Sequence, residues 1–199
     1  VEEGEVGVPA RTLTEFLATI SKGVVELSSE GGKVKIVAEK VKAEVAGVEG
    51  SEFPVVPEFA GEAQMMVDWK EFAAAIGAVI VAVARDDSRP ILTGVLWELE
   101  EGGKNKRLRL VATDGYRLGM DEVEVVGLKA EGKWAEMVGK GQVVVPGRAL
   151  AELLRVGGKE GVEKLWIKLE KEKQQVIFKL GEVEVVSRLL AGEFPSYQA

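Results

Sequence analysis

Two residue types are missing from this chain altogether: it has no cysteine and no histidine. Without cysteine there can be no disulfide and no thiolate metal site, which favours a reducing, intracellular setting. Without histidine the commonest general base and the commonest metal ligand are lost together, and no Ser-His-Asp or Cys-His device can be built within the chain. No apolar run approaches the roughly 18–20 residues of a membrane span. No charged-then-apolar leader opens the chain, so no signal peptide is expected. A P-loop, a Gly-x-Gly-x-x-Gly run after a strand and any metal-ligand spacing are absent too. The sequence therefore calls for no catalytic residue, cofactor or metal. Basic charge is also short, with 26 Lys and Arg against 33 Asp and Glu and a net charge of −7. That balance argues against a simple nucleic-acid-coating module. It still allows DNA to be held if the positive charge is confined to one surface.

What is present is ample core. The chain has 199 residues, 46% hydrophobic and 30% charged, which suits one large domain or one and a half smaller ones. Its organising stretch is Arg107 to Leu118. Leu108, Leu110 and Ala112 alternate with Arg107, Arg109, Val111 and Thr113, the period of a half-buried strand. Asp114-Gly115 predicts a two-residue type I′ hairpin, with Tyr116, Leu118 and Met120 alternating beyond it. Arg89 to Trp97 reads as a further strand with Pro90 at its entry.

In chain order, Val8 to Leu17 opens a helix at Pro9. Its apolar face is Leu13, Phe16, Leu17 and Ile20, and Lys22-Gly23 ends it. Strands follow at Val24 to Leu27, Val34 to Ala38 and Lys42 to Val45, with Gly31-Gly32 as a turn. Glu52 to Pro57 reads as a linker. The helix motif then returns: Val145-Pro146-Gly147-Arg148-Ala149-Leu150-Ala151-Glu152 repeats Val8-Pro9-Ala10-Arg11-Thr12-Leu13-Thr14-Glu15 in its Val-Pro-x-Arg-x-Leu-x-Glu frame. Strands at about Leu165 to Leu169, Gln175 to Leu180 and Val183 to Leu189 come after it. Gly192-Glu193-Phe194-Pro195 then echoes Ser51-Glu52-Phe53-Pro54. Two matches in the same order indicate a duplicated unit. One repeat spans about 55–195, so the chain is expected to begin mid-unit. Residues 1–54 should then lack half of their sheet and leave an unpaired edge.

The longest helix is expected from Asp68, with Asp68-Trp69-Lys70-Glu71 as a capping box. Trp69, Phe72, Ile76, Val79 and Val83 form its buried face. The opposite face is Lys70, Ala74, Gly77, Ala78, Val81 and Arg85, with no charge between Glu71 and Arg85. Either that helix is packed on both sides, or its surface is kept free of acid so that a polyanion can approach. Ala130 to Lys140 reads as the connector between the two halves of the unit.

Taken together, Arg89-Pro90-Ile91-Leu92-Thr93-Gly94-Val95-Leu96, Val111-Ala112-Thr113-Asp114-Gly115-Tyr116-Arg117-Leu118, Val144-Val145-Pro146 and Ser187 to Tyr197 resemble the bacterial DNA sliding clamp family, the beta subunit of DNA polymerase III. The resemblance covers essentially the whole chain. It implies an α+β fold of duplicated β-α-β-β-β half-units, with antiparallel sheets outside and helices inside. Residues 1–54 would be the C-terminal half of a first clamp domain, 55–64 a linker and 65–199 the middle domain, with the third domain absent. It implies a non-catalytic, cytoplasmic processivity factor that closes as a homodimer around duplex DNA without sequence preference and involves no membrane. It also implies a hydrophobic cleft that captures short peptide motifs of the replicative polymerase and the clamp loader. One wall of that cleft maps onto Leu92, Thr113, Gly115, Tyr116, Arg117 and Leu118. DNA-facing positions would be Arg85, Arg89, Lys70, Arg11 and Arg148. Tyr116 stands where the family often has histidine, and Ala18 where its first helix can carry arginine. Two other readings compete. One is a scaffold of the same fold that never encircles DNA. The other is an enzyme using the carboxylates of Asp86, Asp87 and Asp114, with or without Mg²⁺.

Overall fold

Paired glycines make the first hairpin. Gly31 and Gly32 take φ of 55° and 69°, the left-handed pair that a type I′ turn needs, and Glu30 faces Lys33 across them. This turn lies in the first of two compact units, Val1–Val56 and Pro57–Ala199, in a computed structural model of the chain. The structure describes residues 4–39, 41–53, 59, 64–102, 105–128, 143–158, 161–170 and 174–197.

The first unit runs β1 (Val6–Gly7), α1 (Ala10–Ala18), β2 (Val25–Glu30), β3 (Lys33–Ala38), β4 (Val41–Ala46) and β5 (Val48–Glu49). The sheet order is β2-β3-β4, and β1 pairs with β5. Leu13, Phe16 and Leu17 of α1 pack on Val34, Ile36 and Val45. Among the described residues no strand pairs with the outer edge of β2 or of β4. The helix stops at Ala18, short of Lys22-Gly23. The Thr19 and Ile20 amides tighten onto the Phe16 and Leu17 carbonyls, and the Thr19 hydroxyl also donates to Phe16 O. Pro9 stands before the first helical residue, with ψ of 109°.

The second unit repeats one pattern twice. Its first half is β6 (Met65–Asp68), α2 (Trp69–Val79), β7 (Gly94–Gly102), β8 (Asn105–Thr113) and β9 (Leu118–Leu128). Its second half is β10 (Val143–Pro146), α3 (Gly147–Gly157), β11 (Lys164–Glu170), β12 (Gln175–Leu180) and β13 (Val183–Arg188). Both are β-α-β-β-β, the half-unit that the family resemblance implies, and every described strand pair is antiparallel. The sheet order is β10-β7-β8-β9-β6-β11-β12-β13. Each half thus lends its first strand to the other: β6 joins β11, and β10 joins β7.

One core unites the halves. Phe72, Ile76 and Val79 of α2 and Leu150 and Leu153 of α3 enter it with inward residues of both sets of strands. Full burial of such side chains contributes about 1.5–3 kcal/mol each. Trp97 sits between Phe72 at 5.7 Å and Phe178 at 5.9 Å, both edge-on, so aromatic packing crosses from one half to the other.

Asp68 caps α2 as its sequence predicts. Its Oδ1 accepts from the amides of Lys70 and Glu71 at 3.0 and 3.1 Å. The amide of Glu71 leads the causes that hold this carboxyl below its ordinary pKa, and the Lys164 ammonium adds to it. Its second oxygen pairs with Lys164 at 3.4 Å. Glu71 does not complete the box among the described hydrogen bonds.

Three further expectations need correction. The helix from Asp68 does not continue to Arg85: it ends at Val79, tightens into a 3-10 turn over Ile80–Ala82, and is extended at Val83 with ψ of 139°. The strand expected from Arg89 begins only at Gly94. Pro90–Thr93 is a 3-10 turn, closed by Leu92 N–H to Arg89 O and by the Thr93 hydroxyl to Pro90 O. The Asp114-Gly115 connection is a four-residue loop, since Thr113 faces Leu118. Only Gly115 is left-handed there, at φ 91°, while Asp114 serves as a cap. The expected connector at 130–140 and most of the expected linker at 55–64 lie outside the described residues.

Candidate functional site

The loop between β8 and β9 is built by two side chains that turn back on the backbone. Asp114 Oδ1 accepts from the amides of Tyr116 and Arg117, both at 3.0 Å, and Oδ2 accepts from Arg117 Nε at 2.9 Å. The Tyr116 and Arg117 amides chiefly hold the Asp114 carboxyl below its ordinary pKa, with the Arg117 guanidinium adding to this. Thr113 Oγ1 accepts from the Gly115 amide and donates to the Arg117 carbonyl. This Asx-turn arrangement leaves Tyr116 almost wholly exposed, at 98%, and Leu118 half-exposed.

Beside the loop lies a second apolar cluster on the face of the sheet opposite the main core. Leu92, Leu96, Val111, Val144 and Phe194 are its buried members, with Ile91, Leu190 and Tyr197 packed around them. The chain after β13 crosses this face as a strap. Leu190 N–H bonds Val144 O at 2.9 Å, Phe194 inserts among the strand residues, and the Tyr197 hydroxyl donates to Glu98. Of the expected cleft residues, Thr113, Gly115, Tyr116, Arg117 and Leu118 share the loop and its exit. Leu92 is 2% exposed and lies beneath, in the cluster that includes Val111. Arg117 commits one of its donors, Nε, to Asp114.

The cationic positions separate into groups. Arg85 and Arg148 line one cleft of about 310 Å³ with Asp87, Pro90, Thr93 and Leu190. Lys70 stands exposed in the first turn of α2. Arg89 reaches the loop: a Cβ built on Gly115 would lie 2.9 Å from its Nη2. Arg11, in the first unit, is paired with Glu15 at 2.7 Å. The outer face of α2 is open, since Lys70, Ala74, Gly77, Ala78 and Val81 are all exposed. The reading of a helix packed on both sides is therefore not what the chain itself builds.

The opposite face of the sheet carries acids in rows. Arg109 pairs with Glu122 at 2.8 Å and with Glu100, and Arg107 pairs with Glu122 at 3.1 Å. The Arg109 guanidinium is the largest cause of the lowered Glu122 pKa, followed by Arg107. Asp86 caps the Ser88 amide at 3.0 Å, so both Asp86 and Asp114 are engaged in local turns. Among the described residues no three acids are grouped to hold a metal ion, and no helix is long and apolar enough to cross a membrane.

Sequence reasoning missed Val111, Met120, Phe194 and Tyr197 as neighbours of this site. Val111 carried a readable signal, as an apolar residue on the polar side of the alternation Arg107, Arg109, Val111, Thr113.

Repeated β-α-β-β-β half-units with a shared core define the DNA-clamp class of fold, and solved clamps match it. The DNA polymerase III subunit beta from Pseudomonas aeruginosa superimposes with a TM-score of 0.69 and 27% identity, covering 99% of this chain and 50% of that one. The DNA polymerase sliding clamp from Bacillus subtilis gives 0.70 and 26%, covering 95% and 46%. The chain belongs to the DNA polymerase III beta subunit family: residues 66–196 match the family described as DNA polymerase III beta subunit, central domain. The beta sliding clamp of Staphylococcus aureus is 28% identical over 197 residues, 98% of this chain and 48% of that protein. The chain thus spans about half the length of the curated relatives it matches.

Proposed function

We propose that this chain serves in a non-catalytic sliding clamp of bacterial DNA replication, acting in the cytoplasm. Residues 1–54 would form the second half of a first clamp domain, and 65–199 the middle domain. Helices α1, α2 and α3 line the hole of a homodimeric ring around duplex DNA, and the sheets face outward. The observation that carries the reading is the open face of α2, with Lys70 and no acid from Phe72 to Ala84, while Glu98, Glu100, Glu122 and Glu124 share the other side of the sheet. Such a division lets a protein of net charge −7 surround a polyanion by phosphate contact alone. Arg85, Arg148 and Lys70 supply that contact. Arg89 supports the peptide loop as well, and Arg11 is partly neutralised by Glu15. The outer cluster and the Thr113–Leu118 loop hold short peptides of the polymerase and the clamp loader through apolar anchors.

The test uses the complete clamp polypeptide carrying this sequence. It is loaded on a nicked circular duplex, washed in high salt, and the DNA is then linearised. Retention on the circle and loss on linearisation is the expected result. Removal by salt alone would instead favour a scaffold that never encircles DNA.

A further inference from the structure

Cross-strand register writes the outer face of the second unit as rows. Val144, Leu96, Val111 and Met120 lie opposite one another across β10, β7, β8 and β9. The next row toward the far end of these strands is Glu98, Arg109 and Glu122. The strap of Leu190, Phe194 and Tyr197 covers the first three members of the apolar row, so Leu96, Val111 and Val144 are no more than 1% exposed. It does not extend over β9, and Met120 is 55% exposed. Leu118, two residues back on the same face, is 49% exposed. Alternate residues of a strand stand roughly 6.6–6.8 Å apart, the spacing of two side chains on one face of an extended peptide.

We infer that Met120 is a specificity-determining residue that extends the proposed peptide site past Leu118, taking a second apolar side chain of a bound extended peptide. The inference rests on the peptide-binding reading of the Leu92 and Leu118 face. Three features support it. Met120 is the uncovered end of the apolar row whose other members, Val144, Leu96 and Val111, are buried under the strap, and with Leu118 it makes an exposed apolar pair. Its far boundary is set by the Glu98–Arg109–Glu122 row, where Arg109 is paired with Glu122 and Glu100 and Glu98 accepts from the Tyr197 hydroxyl, so that row offers a peptide neither a free cation nor a dry surface. Met is also the side chain best able to reshape around different apolar partners, being unbranched and polarisable.

The probe is a fluorescein-labelled hexapeptide, Gly-Ser-Leu-Ser-Leu-Gly, with two companions in which one or the other leucine is alanine. Binding is read by fluorescence polarisation with the full chain. Met120→Ala should weaken the two-leucine peptide roughly five- to tenfold. It should not further weaken the companion that lacks the leucine seated on it, which is the mark of direct coupling. Met120→Leu should restore most of the affinity, and bound peptide should slow oxidation of Met120 by peroxide, read by mass spectrometry. Equal effects of Met120→Ala on all three peptides, or no effect, overturn the inference while loss of binding in Leu118→Asp keeps the site itself standing. Undiminished binding by Leu118→Asp, or no binding by the unaltered chain, overturns both.

Discussion

Gly115 is the residue at which conformation and contact meet. Its φ of 91° is a region that side-chain-bearing residues enter at a cost of roughly 1–2 kcal/mol. A Cβ there would also meet the Arg89 guanidinium at 2.9 Å. The arginine tip can swing away, so the backbone term should dominate stability, while the displaced Arg89 and the reshaped loop should govern binding. Gly115→Ala is therefore expected to lower unfolding free energy by about 1–2 kcal/mol in urea titration and to weaken peptide binding further than that loss of stability explains. A variant with unchanged urea midpoint would show that the left-handed conformation is not required. The sequence exposed this position only in part. Asp-Gly signals a turn, but whether glycine alone or both residues become left-handed depends on where the Asp114 side chain goes. Here it bonds the Tyr116 and Arg117 amides, and the loop lengthens from two residues to four.

Elements were legible where local chemistry and burial agree. The Gly31-Gly32 hairpin, the Asp68 cap and the β12 boundaries, Gln175 to Leu180, follow from residues alone. Elements whose ends are set by distant partners were not. Arg89 to Thr93 reads as the start of a strand with a proline at its entry, yet Leu92 is drawn into a cluster with Phe194, and the Pro90 carbonyl accepts from the Thr93 hydroxyl. Helix α3 shows the same dependence at its last residue. Gly157 is helical and buried, and a Cβ there would lie 2.2 Å from Trp69 Cζ2 and 2.6 Å from Leu180 Cδ2. The glycine lets the end of α3 close on the start of α2, joining the two halves. Neither atom can retreat without opening the core, so Gly157→Ala should cost roughly 1–3 kcal/mol as overpacking, despite alanine's better helix propensity. Thermal unfolding monitored by Trp fluorescence would measure it. A stabilised variant would mean that the Trp69 ring has free room to turn, and that the close packing of α3 on α2 is not a constraint.

At the scale of the molecule, the repeat was readable but its consequence for stability was not, because strand exchange between halves is a non-local fact. In the second unit β11 is paired on both sides, with β6 and β12. Its counterpart in the repeat, β2, is paired only with β3 among the described residues, and all but its first residue are exposed. The buried apolar side chains described in the first unit are Val34, Ile36, Ala38 and Val45, and α1 contributes no fully buried residue. The second unit has instead a core spanning two helices and strands of both halves. Opening free energy follows such differences in local burial and backbone pairing. Amides of β2 to β4 should therefore exchange much faster than those of β7 to β9 and β11 to β12. Chemical denaturation should show the first unit unfolding before the second. Native-state hydrogen exchange with mass spectrometry resolves the two. Equal protection would require that the open edge of β2 be paired in solution, by a strand playing the part that β6 plays for β11. The protection pattern along β2, with alternate amides slowed, would then reveal the direction from which that strand adds.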